Sequence, residues 1–160
     1  MSIWNLNVNC GITFGEDSRL TVGEKLKSYG ATTALLLYDM AMDQFGYQRE
    51  IEKVINDANI KVVCYQVEEG EPTAQKSDRA YDFAKDKSVD AIVAIGGGST
   101  MDTGKMVGKL LANGGKTRDY QNNPCIGNTV FRPLIALPST AGTGACLLYT
   151  SPSPRDISGS

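Results

Sequence analysis

Four short apolar runs alternating with stretches of helical spacing constrain this chain more than any other feature. The run "TTALLLYD" (residues 32–39) is β-branched and apolar without polar alternation, as a strand covered on both faces would be. The runs "IKVVCYQV" (60–67), "DAIVAI" (90–95) and "RPLIALP" (132–138) have the same character, so they too are expected to be buried strands. Between the first two, Ile51, Val54, Ile55 and Ala58 fall on one helical face. Thr73 is positioned to cap a helix running to about residue 87, with Ala80, Phe83, Ala84 and Lys87 along one side. Residues 99–111 form the helix after the third strand, and residues 19–29 form an early one that stops at Gly30. Strands alternating with helices predict an α/β fold with a parallel Rossmann-like sheet and helices on both faces. Ligands on such sheets bind beyond the carboxyl ends of the strands.

At 160 residues the chain has the length of one domain. A net charge of −2 creates no field to recruit nucleic acid or an anionic membrane surface. The opening "MSIWNLNVNC" has no basic region and no long apolar run, so it does not read as a signal peptide. No stretch approaches the roughly 18 apolar residues needed to span a bilayer. The expectation is therefore a cytoplasmic chain with neither nucleic acid nor membrane as partner. Cys10, Cys64, Cys125 and Cys146 are scattered without a C-x-x-C pair, which argues against a disulfide framework or zinc site. There is no histidine, so no imidazole base, triad or metal ligand comes from this chain.

The third strand runs directly into "GGGSTMDTGK". Glycines let a backbone turn sharply and let its N–H groups approach a ligand with no Cβ in the way. Ser99 reads as the N-cap of the next helix, with Asp102 three residues on as in a capping box. The N-terminus of that helix suits a phosphate or pyrophosphate. Gly104, Gly108 and Ala112 form a small-residue stripe that lets the helix lie close on the sheet. Two familiar fingerprints fail: G-x-G-x-x-G needs glycine at Met101, and the Walker pattern needs glycine at Ser99 and a hydroxyl at Met106. A plain strand-to-helix turn remains open on these residues alone.

A second loop, "PSTAGTGA" (138–145), follows the fourth strand, and its hydroxyls and glycines can contact ribose, phosphate or amide. A carboxylate closing a strand, as Asp39 does, can hold adenosine ribose hydroxyls and repel a 2′-phosphate. In the usual dinucleotide fold that acid follows the glycine loop by about 20 residues. Here Asp39 precedes the loop, so the usual wiring does not apply, and a surface Asp in a turn is the plain alternative.

"GGGSTMDTGK" followed by "PLIALPSTAGTGA", with "ITFGEDS" and "LLLYD" upstream, resembles the iron-containing (group III) alcohol dehydrogenases over residues 12–145. The resemblance implies an N-terminal α/β domain binding NAD or NADP, and a C-terminal helical domain holding a divalent metal, usually Fe(II). By position, Gly97, Gly98 and Ser99 would cradle the pyrophosphate, and Asp102 would lie near nicotinamide and substrate. Ser139, Thr140 and Thr143 would contact the cofactor, and Asp39 would favour NAD over NADP. "EGEPT" (69–73) matches the adenine-side loop, the role of Glu71 being left open. The substrate would be a small alcohol or aldehyde, and the parent a homo-oligomer. The family's metal ligands, one Asp and three His, lie downstream of the second motif, so the chain itself carries no metal ligand and is expected to be inactive. Relatives of the same architecture are glycerol dehydrogenases and dehydroquinate synthases. A phosphate- or nucleotide-binding module without redox chemistry is the reading from another class.

After Ala145 comes "CLLYTSPSPRDISGS". It resembles the translation of a sequencing-library adapter and has no periodic apolar face to pack. Residues 1–145 are therefore expected to be a truncated NAD(P)-binding domain, residues 146–160 a non-native disordered tail, and the C-terminal metal-binding domain missing. Apolar surface at the sheet edge is expected to be exposed as a result.

Overall fold

The structure, a computed structural model, describes residues 11–122 and 131–141. The strands β1 (Thr33–Tyr38), β2 (Lys61–Gln66), β3 (Ala91–Gly96) and β4 (Leu134–Pro138) form one sheet in the order β2-β1-β3-β4. Every pairing is parallel. Around them lie α1 (Val22–Ser28), α2 (Met40–Gln44), α3 (Tyr47–Asp57), α4 (Ala74–Ala84), α5 (Gly98–Asn113) and α6 (Thr117–Asn122), with a turn of 3-10 helix at Ser18–Thr21. The expected α/β fold is the observed one. Among the described residues no helix is long and apolar enough to cross a membrane.

The unbroken apolar character of β1 and β3 follows from cover on both sides. Ala34 and Leu36 of β1 and Ala91, Val93 and Ile95 of β3 point to one face, against Val22 and Leu26 of α1 and Ile51 and Ile55 of α3. Leu35, Leu37, Ile92 and Ala94 point to the other, against Ala80 and Ala84 of α4 and Met101 and Val107 of α5. The outer strands differ from expectation. In β2 only Val63 is buried, and in β4 no residue is fully buried. Both are edge strands of the described sheet, so an apolar run there is only half covered.

Helix starts show why local signals succeed or fail. The Thr73 hydroxyl accepts from the Lys76 amide and caps α4 as expected, although the helix ends at Ala84 and gives way to a turn. Two short helices carry no readable apolar period. α2 is held by the Asp39 carboxylate at its N-cap, and Asp78 of α4 accepts from both amide and hydroxyl of Thr117 at the start of α6.

At the opposite end of the sheet, Asp90 locks β1 to β3. Its carboxylate accepts from the Thr32 amide (2.8 Å), the Thr32 hydroxyl (2.6 Å) and the Thr33 amide (3.1 Å). Burial pushes this carboxyl up, but the Thr32 hydroxyl and the Thr32 and Thr33 amides together outweigh it and hold it below its ordinary 3.8. A carboxyl depressed by folding adds stability that is present above its ordinary value and is lost as pH falls through its folded value. Asp90→Asn is expected to melt at lower temperature than the parent at pH 7. The gap should close when both are melted at successively lower pH below 3.8.

Gly23 marks a close crossing of α1 over α3: a Cβ there would lie 2.8 Å from both Ala58 Cβ and the Val54 carbonyl oxygen. A backbone carbonyl inside α3 has no side-chain freedom with which to yield. Gly23→Ala should therefore cost about 1–3 kcal/mol, read from urea unfolding.

Candidate dinucleotide site at the strand switch point

The chain leaves β1 toward β2 on one side, whereas β3 pairs on the other side of β1 and leads to β4. The crevice between the carboxyl ends of β1 and β3 is thus the switch point, where neighbouring connections diverge and a ligand can enter. Asp39 directly follows β1 and Gly96 ends β3, and the structure joins the two strand ends. One Asp39 carboxylate oxygen accepts from the Met42 amide at 3.0 Å, capping α2, and the other accepts from the Gly97 amide at 3.1 Å.

Gly96 has φ +145°, and a Cβ there would lie 2.3 Å from Asp39 Oδ2 and 2.9 Å from Thr100 Oγ1. Only glycine fits, for its backbone conformation and for space. Gly97 then serves as N-cap of α5 with extended backbone and no side-chain cap. The amides of Gly98, Ser99 and Thr100 open the helix ahead of the first intrahelical bond, from Met101 to Gly97 at 3.1 Å. Such a turn presents uncapped N–H groups and the positive end of the helix dipole to the crevice.

Ser99 corrects an expectation. It is the second residue of α5, not its N-cap. Its hydroxyl donates to the Gly70 carbonyl at 3.1 Å, and Asp102 pairs with Lys105 at 3.3 Å, so no capping box forms. The helix starts earlier because Asp39, far away in sequence, takes the Gly97 amide and lets the strand turn directly into the helix. The Ser99–Gly70 bond draws in the loop after β2. Lys76 of α4 supports that loop from behind by donating to the Glu69 and Glu71 carbonyls. Gly70 belongs to the "EGEPT" loop (69–73) already noted in the sequence, whereas Lys76 carried no motif and is singled out only by its contacts with that loop.

The second loop arrives as expected. The Ser139 amide donates to the Gly96 carbonyl at 2.8 Å, and Thr140 Oγ1 stands 3.8 Å from where a Gly97 Cβ would be. Asp39, Gly97, Gly98, Ser99, Ser139 and Thr140 are therefore neighbours at one end of the sheet, with Asp102 one turn further along α5. Thr143 and the tail 146–160 lie outside the described residues. The glycine stripe does what its spacing implied. A Cβ on Gly104 would meet Ala94 Cβ at 3.1 Å, and one on Gly108 would meet Ile92 Cδ1 at 3.1 Å, so α5 lies close on β3. Among the described residues no three His, Cys, Asp or Glu side chains group to hold a metal ion.

A parallel sheet with helices on both faces and a glycine turn at its switch point defines a doubly wound α/β protein. The family model for iron-containing alcohol dehydrogenase matches residues 10–149, and the chain belongs to that family. It is 36% identical over 124 residues to the NAD-dependent methanol dehydrogenase of Bacillus methanolicus, covering 78% of this chain and 32% of that protein. The fold superposes on sulfoacetaldehyde reductase from Bifidobacterium kashiwanohense, solved in complex with NAD+, with a TM-score of 0.80 at 21% identity, covering 90% of this chain and 38% of that one. NADH-dependent butanol dehydrogenase A from Thermotoga maritima gives a TM-score of 0.80 at 23% identity, over 90% of this chain and 36% of that one. The chain thus spans about a third of the length of the relatives it matches.

Gly96→Ala tests the crowding at this turn. It should lower the thermal midpoint, at a cost of about 1–3 kcal/mol, and should speed exchange of the Gly97 amide by displacing Asp39.

Proposed function

We propose that residues 1–145 are the NAD-binding part of an NAD-linked, metal-dependent alcohol dehydrogenase. In this reading the parent moves a hydride between a small alcohol and its aldehyde or ketone, in the cytoplasm and as a homo-oligomer. Residues 146–160 are then a non-native tail. The observation that carries the proposal is the meeting of the uncapped start of α5 with the Ser139–Thr140 turn and Asp39 in one crevice of a family member. Of the expected cradle of Gly97, Gly98 and Ser99, the Gly97 amide is taken by Asp39. Gly97 would therefore shape the turn, and the amides of Gly98 and Ser99 would hold the pyrophosphate, where a Cβ-free turn lets the phosphates come close. Ser139, Thr140 and Thr143 would contact the cofactor from the β4 side. The Asp39 charge at the end of β1 would admit an unmodified ribose and repel a 2′-phosphate. Asp102 would face the nicotinamide end, with Lys105 holding its carboxylate at 3.3 Å.

The residues described here fit a dinucleotide and do not fit a metal site, and the chain has no histidine. The metal, Fe(II) or another divalent ion, would be held by a helical domain beyond this sequence. The chemistry supplied there is polarisation of the alcohol oxygen.

Calorimetric titration tests the cofactor reading. NADH should bind and ATP should not; the reverse would favour a nucleotide module without redox chemistry. The 160-residue chain supplied with Fe(II), NAD and a panel of short alcohols should form no NADH above the enzyme-free control. Measurable turnover would show that the chain completes its own metal site.

A further inference from the structure

The peptide between Gly96 and Gly97 is gripped at both ends. Its N–H donates to Asp39 Oδ2 at 3.1 Å, and its C=O accepts from the Ser139 amide at 2.8 Å. In a parallel sheet a central strand bonds to a neighbour on each side. On the β4 side the neighbour is still backbone. On the β1 side the chain has already turned off into α2, and the Asp39 carboxylate stands in for the missing strand carbonyl. That carboxylate is itself fixed, because Met42 donates to its other oxygen at 3.0 Å. The open space where a Gly96 side chain would lie lets it come this close. The pinned peptide is the last before α5, so its orientation sets the direction in which the Gly98 and Ser99 amides point.

We infer that Asp39 is a positioning residue for the dinucleotide, acting through the Gly97 amide to aim the first turn of α5, apart from any contact or repulsion at the ribose. The inference rests on the cofactor reading above. It separates from a direct ribose ligand in what an altered cofactor does. An asparagine keeps one acceptor but sets an N–H group against the second amide. A serine keeps the cap on Met42 but is too short to reach Gly97.

The test compares Asp39→Asn and Asp39→Ser with the parent chain by hydrogen exchange, and by titration with NADH and with an NADH analogue lacking both hydroxyls of the adenosine ribose. The Gly97 amide should exchange faster in both variants, while the amides of residues 92–95 stay protected and so report that the sheet is folded. Affinity for NADH and for the analogue should fall by the same factor, about tenfold. Unchanged exchange at the Gly97 amide overturns the inference. So does unchanged NADH affinity, or a loss confined to NADH and absent with the analogue, which makes Asp39 a ribose ligand only. If the parent chain takes no NADH, the cofactor reading falls, and the exchange result alone decides whether Asp39 braces the turn.

Discussion

The site depends on the pairing of β1 with β3. These strands run parallel with Tyr38 opposite Ile95, so the next residues along, Asp39 and Gly96, emerge side by side. Ala34, Leu35, Leu36 and Leu37 of β1 and Ala91, Ile92, Val93 and Ala94 of β3 are wholly removed from solvent. A slip of one residue would carry each of these side chains to the opposite face. With a helix layer packed on both faces, no such slip is available. The carboxylate-to-turn contact is therefore held by two buried strands, and Asp90 secures the same two strands at their other end.

From that anchor the rest of the crevice is assembled by backbone groups more than by side chains. Ser139 and Asp39 bond to the two ends of the Gly96–Gly97 peptide, and Ser99 reaches the Gly70 carbonyl in the loop after β2, so the four strand ends join one network. Such an arrangement leaves the start of α5 unobstructed. It also explains the concentration of glycine and small hydroxyl residues there. A bulky side chain at Gly96 would displace Asp39, and bulk at Gly104 or Gly108 would lift the helix off β3. Loops carry the ligand-facing groups, and a rigid sheet carries the loops.

Membership of the iron-containing alcohol dehydrogenase family, with about a third of its relatives' length represented, suits a separation of tasks along the chain. Groups that can grip a phosphate bridge are gathered in the described residues. Groups that can grip a metal are not, and the sequence contains no imidazole with which to build such a site. The proposed reading assigns binding and orientation of the cofactor to this part, and polarisation of the substrate to another.

Much of this was legible in the residues themselves. The four strands, the cap at Thr73 and the close-packing stripe of Gly104 and Gly108 depend on neighbours within a few positions, and short-range spacing reports such neighbours directly. The order of the strands was not legible, and with it went the knowledge that β2 and β4 are edges and so only half covered. The start of α5 was misplaced for the same reason: Ser99 has the chemistry of a cap, but the helix begins where a distant carboxylate has already taken the Gly97 amide. Sequence by itself determined which segments become the strands and the longer helices and which turns are free of side chains, because those follow from local periodicity and from the placing of glycine. Tertiary structure alone decided that Asp39 meets Gly97 and that Ser99 meets Gly70, because a hydrogen bond between residues 58 or 29 positions apart exists only once the sheet has brought its strand ends together.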